Sequence, residues 1–129
     1  MTSKLPRKQR KALYTATQHK RARQMSVHLS DDLMKKYNVR SLPVRKGDIV
    51  KVIRGNGPRP GRDEKKVVRG KEGKVVEVFL ESRRIAIEGL NIAKADKKEV
   101  ARKIHASNVI LTNPDMSDKW RMRKLGVRE

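Results

Sequence analysis

The chain has 129 residues and carries 34 Lys and Arg against 14 Asp and Glu, a net charge of +20. That is one domain's worth of chain, and its charge would self-repel in a free compact domain unless a polyanion, most commonly nucleic acid, neutralises it. Cysteine is absent, which excludes disulfides and thiolate metal sites, and no apolar run approaches the roughly 18 residues of a membrane span.

Residues 1–28 hold eight Lys or Arg and no acid. Their apolar residues, Leu5, Ala12, Leu13, Tyr14, Ala16, Ala22, Met25 and Val27, form no core-sized stripe. Residues 1–29 therefore read as a basic arm, extended or fluctuating when free and ordered on a polyanion. Arg7, Arg10, Lys11 and Tyr14 follow three-and-four spacing, which allows short helical turns. Nucleic-acid contact is assigned to Arg7, Lys8, Arg10, Lys11, Lys20, Arg21 and Arg23, in preference to a localisation signal or a solubilising tail.

Ser30 is placed to cap a short helix, with Asp31 and Asp32 in its first turn and Lys35 and Lys36 in its last, as the helix dipole favours. Leu33 and Tyr37 share one face and are expected to pack on the β core. Asn38 is the helix stop. Neighbouring side chains on a helix diverge, so Asp31 and Asp32 are read as capping residues, not as a metal or acid–base pair. Arg40 to Lys46 is extended, with Pro43 restricting Leu42, and Gly47-Asp48 is a turn.

Three short β-branched runs follow, Ile49–Ile53, Val75–Leu80 and Ile85–Ile87, each bounded by Gly, charge or turn residues. Val50 and Val52 share a face. Ile85, Ile87 and Gly89 fall on one face of the third run, and Arg84, Ala86 and Glu88 on the other. Gly55 to Lys66, reading GNGPRPGRDEKK, is a basic loop. It lacks the Gly-Lys-Ser/Thr ending of a nucleotide-binding loop. Gly70-Lys71-Glu72-Gly73 turns the chain into the second run. Gly73 is expected to supply positive φ or a close backbone approach to phosphate, and Lys71 and Lys74 to reach phosphate oxygens. Glu72, Glu77 and Glu81 are read as solvated or paired with Arg83 and Arg84.

Ile92 to Ile104 reads as a hairpin with its tip at Lys94 to Lys98, and Val109 to Leu111 as a last strand that closes a barrel. Ser117 is the expected cap of a short C-terminal helix, which Gly126 ends. Arg121, Arg123 and Lys124 read as basic decoration, and Trp120 as anchored on protein.

The stretch RGKEGKVVEV from Arg69 to Val78, followed by RIAIEGLN from Arg84 to Asn91, resembles the KOW motif. Ribosomal proteins and transcription-elongation factors share that motif. Three flanks, KYNVRSLPVRKGD from Lys36, PRKQRK from Pro6 and IHASNV from Ile104, are similar to the archaeal and eukaryotic form of the large-ribosomal-subunit protein twenty-four family. The resemblance implies a mainly β fold: a small SH3-like barrel with a basic N-terminal arm and short flanking helices. The barrel and its preceding helix would span residues 30–113, and a short helix and tail residues 114–129. The resemblance further implies a monomer within the cytoplasmic ribosome that binds the 5′ domain of the large-subunit rRNA, joins early in assembly and contacts neighbouring ribosomal proteins. The Ile92–Ile104 hairpin would lie beside the exit of the peptide tunnel. Arg40, Arg45, Lys46, Arg54, Arg69, Lys71, Gly73 and Lys74 join the arm as expected RNA contacts. The sequence departs from the family at the Gly55–Lys66 loop, which is longer than usual and suggests an added RNA or protein contact, and at Ala106, where proline is expected.

Tyr14, Tyr37, Phe79 and Trp120 are the only aromatics. Phe79 alone lies in an expected strand, so phosphate, sugar and shape contacts are favoured over base stacking. His19, His28 and His105 are scattered, with neither a nucleophile constellation nor metal-ligand spacing. No enzymatic role, metal or cofactor is expected. Two other readings remain. A KOW module of transcription elongation would co-sediment with RNA polymerase. A DNA-coating protein would bind duplex DNA as tightly as structured rRNA at equal salt.

Overall fold

Alternation of small apolar with polar residues decides which side chains of this chain go inside. The computed structural model describes residues 3–58, 60–61 and 66–126; the loop cations Arg59, Arg62 and Lys65 lie outside the described residues. Four short α-helices, one 3-10 turn (Ala106–Asn108) and seven strands occur among them: α1 (Pro6–Tyr14), α2 (Gln18–Gln24), β1 (Ser26–Leu29), α3 (Asp31–Tyr37), β2 (Ser41–Pro43), β3 (Ile49–Val52), β4 (Glu72–Phe79), β5 (Arg84–Ala93), β6 (Glu99–His105), β7 (Val109–Asn113) and α4 (Lys119–Lys124).

The strands form one sheet in the order β2-β1-β7-β3-β4-β5-β6. Neighbours run antiparallel except β1 and β7, which pair in parallel through His28–Ile110 and Leu29–Leu111. Every strand places residues in one hydrophobic cluster, from Val27 and Leu42 through Val50, Val75 and Ile87 to Ile104 and Leu111. A flat sheet cannot bring both of its edges to one core, so this sheet curls into a barrel-like shape. Register shifts in β4 between Val75 and Glu77, and in the β5–β6 ladder between Ala86 and Asn91, supply two of the bends. Extra residues on one strand increase local twist and curvature.

β1 corrects the reading of the N-terminal segment. Met25, Val27 and Leu29 are buried at 1% exposure each. Val27 pairs with Leu42 and Leu29 with Leu111, so this segment is a buried strand of the sheet, lying between β2 and β7. Upstream, α1 and α2 bury no residue. The basic character therefore belongs to residues up to Gln24, and the β core begins at Met25. Hydrogen exchange on the free chain is expected to divide at this point. Amides of α1 should exchange within the dead time of manual mixing, because an isolated nine-residue helix is marginal in water. Those of Val27 and Leu29 should exchange only with global opening. Equal protection of α1 and β1 would show that the arm is part of the cooperative unit.

Two caps also differ from expectation. Ser30 precedes α3, but its hydroxyl makes no capping bond, while Asn38 closes the helix in the left-handed region at φ 51°. α4 is capped by Asp118, whose carboxylate accepts from the Trp120 N–H; Ser117 instead donates its N–H and hydroxyl to Asp115. Those two bonds hold the Asp115 carboxyl below its usual range. Leu33 and Tyr37 pack against the core as expected, and Gly126 follows α4 at φ 72°. In β5, Ala86 is buried together with Ile85 and Ile87, so neither face of that stretch is free.

The two turns beside β3 are tied down by one buried ion pair. Asp48 is fully buried and Arg121, on α4, is 5% exposed. The guanidinium donates to both carboxylate oxygens, Nη1 to Oδ1 at 2.6 Å and Nη2 to Oδ2 at 2.8 Å. Asp48 also accepts the N–H groups of Arg45 and Asp115, each at 2.8 Å. Arg121 further donates to the carbonyls of Asp115 and Pro43. Arg121 is thus the clamp that fixes the C-terminal helix across β2 and β3, not surface decoration.

Candidate nucleic-acid interface

A nucleic-acid surface needs cations that are exposed, fixed by rigid elements and not neutralised by nearby acids. The expected contacts fall into four groups by position. The first is the arm. Arg7, Lys8, Arg10 and Lys11 lie on α1, exposed, in a helix with no acid in its first turn. Lys20 and Arg23 on α2 are likewise exposed. Arg21 is different. Its Nη2 donates to the Tyr14 carbonyl at 2.7 Å, and its Nη1 lies 4.0 Å from a Glu81 carboxylate oxygen. Arg83 donates to the Leu13 carbonyl at 3.1 Å. These two cations meet the open carbonyls at the C-terminal end of α1, where the helix dipole favours positive charge. They tie the arm to the β4–β5 turn.

The second group surrounds the start of β4. Gly70 takes φ 87° and its N–H bonds to the Val52 carbonyl at 2.8 Å. That tight turn presents Arg69 and Lys71 outward, and Lys74 lies opposite Ile49 on the outer side of the sheet. Gly73 has no positive φ. A Cβ there would lie 2.8 Å from Ile87 Cγ2 and 2.9 Å from the Glu88 carbonyl oxygen. Its bare backbone is required by the packing of β4 on β5, which corrects the expectation of a positive φ. Glu72 accepts the Thr112 hydroxyl.

The third group, Arg40, Arg45 and Lys46, lies around β2 and the turn after it. All three are exposed, but the Arg45 guanidinium is ion-paired with Asp118. The fourth position is Arg54, just past β3. It does not join the Lys71–Lys74 group. It lines a separate cleft of about 250 Å³ whose other walls include Asn56, Arg84, Arg102, Lys103, His105 and Asn108. Sequence reasoning missed this cleft because its cations come from three separate places: the residues after β3, the start of β5 and the middle of β6.

Two aromatics depart from expectation. Trp120 is 76% exposed, with the Arg123 guanidinium 5.2 Å from its ring centre, and is not anchored on protein. Phe79 is half-buried, and the Lys103 ammonium sits 4.0 Å above its ring, occupying the face a base would use. No group of three or more metal-binding side chains occurs among the described residues.

The family model describing the eukaryotic L26 and archaeal L24 ribosomal proteins matches residues 3–128. The large ribosomal subunit protein uL24 of Methanosphaera stadtmanae is 47% identical over 123 residues, covering 95% of this chain and 96% of that protein. The uL24 of Saccharolobus solfataricus is 43% identical over 97% of this chain and 96% of its own length. That of Sulfurisphaera tokodaii is 46% identical over the whole chain and 90% of its own. The match takes in the arm, every strand and the Arg121 clamp, and the chain belongs to the family of eukaryotic L26 and archaeal L24 ribosomal proteins.

Proposed function

We propose that this protein is a structural component of the large ribosomal subunit in the cytoplasm, and that it binds large-subunit rRNA mainly through phosphates. The observation that carries this reading is the net charge of +20, displayed on exposed Lys and Arg of α1, α2 and the β3–β4 turn. The relatives' membership of the large subunit supports the same reading. The curled sheet and its RGKEGKVVEV turn-and-strand support an SH3-like barrel of the KOW type. The finer placement follows the resemblance: contact with the 5′ domain of the rRNA, entry early in assembly, neighbouring ribosomal proteins as partners, and a single copy whose β5–β6 hairpin lies beside the tunnel exit. Ribosomal relatives spanning nearly the whole chain disfavour the elongation-factor alternative.

A salt titration of binding to a folded 5′-domain rRNA fragment tests the phosphate reading. Counterion release makes log affinity fall linearly with log salt, by roughly 0.7–0.9 per phosphate contact. Replacing Lys71 and Lys74 together by Ala is expected to lower that slope by about 1.4–1.8. Phe79→Leu is expected to leave it unchanged, because Lys103 already covers the ring. A double Lys variant that keeps the full slope, beside a Phe79 variant that loses discrimination between unpaired bases, would replace the phosphate reading with a stacking mode.

A further inference from the structure

The cleft at the end of β3 differs from the rest of the basic surface. It is concave, and it joins cations to free amide side chains. Arg54 enters from the residues after β3, Arg84 from the start of β5, and Arg102 and Lys103 from β6. Among the described residues no carboxylate lines it, and neither Arg54 nor Arg84 has an ion-pair partner. Arg84 and His105 are direct cross-strand partners, so their side chains leave the sheet on the same face. Arg102 donates to the Lys66 carbonyl at 3.4 Å, which fixes its guanidinium at the wall.

The backbone around the cleft is already satisfied. The Asn108 carbonyl accepts from the N–H groups of Ile53 and Arg54, and the Asn56 carbonyl from those of Val68 and Arg69. These bonds hold both asparagines in place and leave their side-chain amides without partners among the described residues. His105 Nδ1 accepts from the Ser107 N–H at 3.2 Å, which leaves Nε2 as its donor. A side-chain amide offers two donors and an acceptor, the set that reads the edge of a base. The volume of about 250 Å³ far exceeds the roughly 10–15 Å³ that admits one water, so the cleft has room for more than a bound water.

We propose that this cleft takes one unpaired nucleotide of the RNA, with its phosphate on Arg54 and Arg84 and its base edge on Asn56 and Asn108. Single-stranded loops and bulges are where proteins read RNA sequence, by hydrogen bonds to splayed bases and stacking on guanidinium planes. The inference rests on the rRNA-binding reading and gives it one base-reading position on a surface otherwise limited to phosphates.

Three measurements on the full chain test it. In the salt titration, the Arg54→Gln, Arg84→Gln double variant is expected to bind the rRNA fragment about tenfold or more weakly. Its slope should fall by about 0.7–0.9, the loss of one phosphate. Asn56→Ala with Asn108→Ala is expected to weaken binding severalfold at unchanged slope. Melting curves of each variant confirm that it folds. The third measurement follows the Arg side-chain N–H signals of the free protein by NMR. Uridine 5′-monophosphate is expected to shift those of Arg54 and Arg84 saturably, and at lower concentration than inorganic phosphate. A parent chain that binds the fragment without a steep salt slope overturns the rRNA reading itself. If the parent binds steeply but the double Arg variant keeps its slope and affinity, the cleft inference alone falls. Inorganic phosphate matching the nucleotide, with neutral Asn variants, reduces the cleft to a phosphate contact and overturns the base-reading claim. Tighter binding of an acidic peptide than of either probe also overturns it.

Discussion

Arg121→Ala is expected to lower the unfolding free energy by about 3–5 kcal/mol, the usual cost of breaking a buried ion pair from one side. The substitution leaves the Asp48 carboxylate at zero exposure with two backbone N–H donors and no cation. Two turns then lose their common anchor, since Arg121 also holds the Asp115 and Pro43 carbonyls. Arg121→Lys should recover only part of the loss, because an ammonium cannot make the bidentate contact. Joint replacement by Asp48→Leu and Arg121→Met removes both charges, which in other proteins is often neutral or stabilising. Here it still strands the Arg45 and Asp115 N–H groups, each costing about 1–3 kcal/mol. The double variant should therefore lose less stability than the two single substitutions added together, with a strongly favourable coupling between the two residues. Chemical denaturation of the parent, Asp48→Leu, Arg121→Met and the double variant measures that coupling. Additive losses would show that Asp48 and Arg121 act separately.

Residues whose role depends on local sequence are legible in the sequence alone. Val50 and Val52 announce a strand by alternation, Asn38 and Gly126 announce helix ends, and Lys94 to Lys98 mark a hairpin tip. Each signal lies within a few residues of its effect. β1 is hidden because its apolar residues alternate with Ser26 and His28 directly after a run of cations, and its partners lie at 41–43 and 110–111. Arg121 is hidden by distance. Nothing near it in the sequence separates it from Arg123 and Lys124, and its partner lies 73 residues upstream. The cleft is hidden for the same reason, since Arg54, Arg84 and Arg102 meet only once the strands are in register. Among the expected contacts, Lys71, Lys74 and the α1 cations are exposed as that reading requires. Arg21 and Arg45 already have partners within the protein.

Gly73→Ala separates a packing role from a phosphate role at the centre of the basic turn. The added methyl would meet Ile87 Cγ2 at 2.8 Å and the Glu88 carbonyl oxygen at 2.9 Å. Ile87 can shift its side chain, but the Glu88 oxygen belongs to β5 and yields only if the strand moves. Overpacking of this kind costs about 1–3 kcal/mol, and the loss should appear as a lower denaturation midpoint. The Lys71 and Lys74 side chains stay on the outer side of the sheet, so the salt slope of rRNA binding should match the parent's under conditions where the variant is folded. A glycine kept for the approach of a phosphate predicts the opposite pair of results, with parental stability and weakened binding. Gly73→Val sharpens the contrast: two further methyls at the same contact should deepen the destabilisation while the slope per phosphate is unchanged. A variant with parental stability and a reduced slope would place the RNA backbone directly over Gly73 and assign this residue to the interface after all.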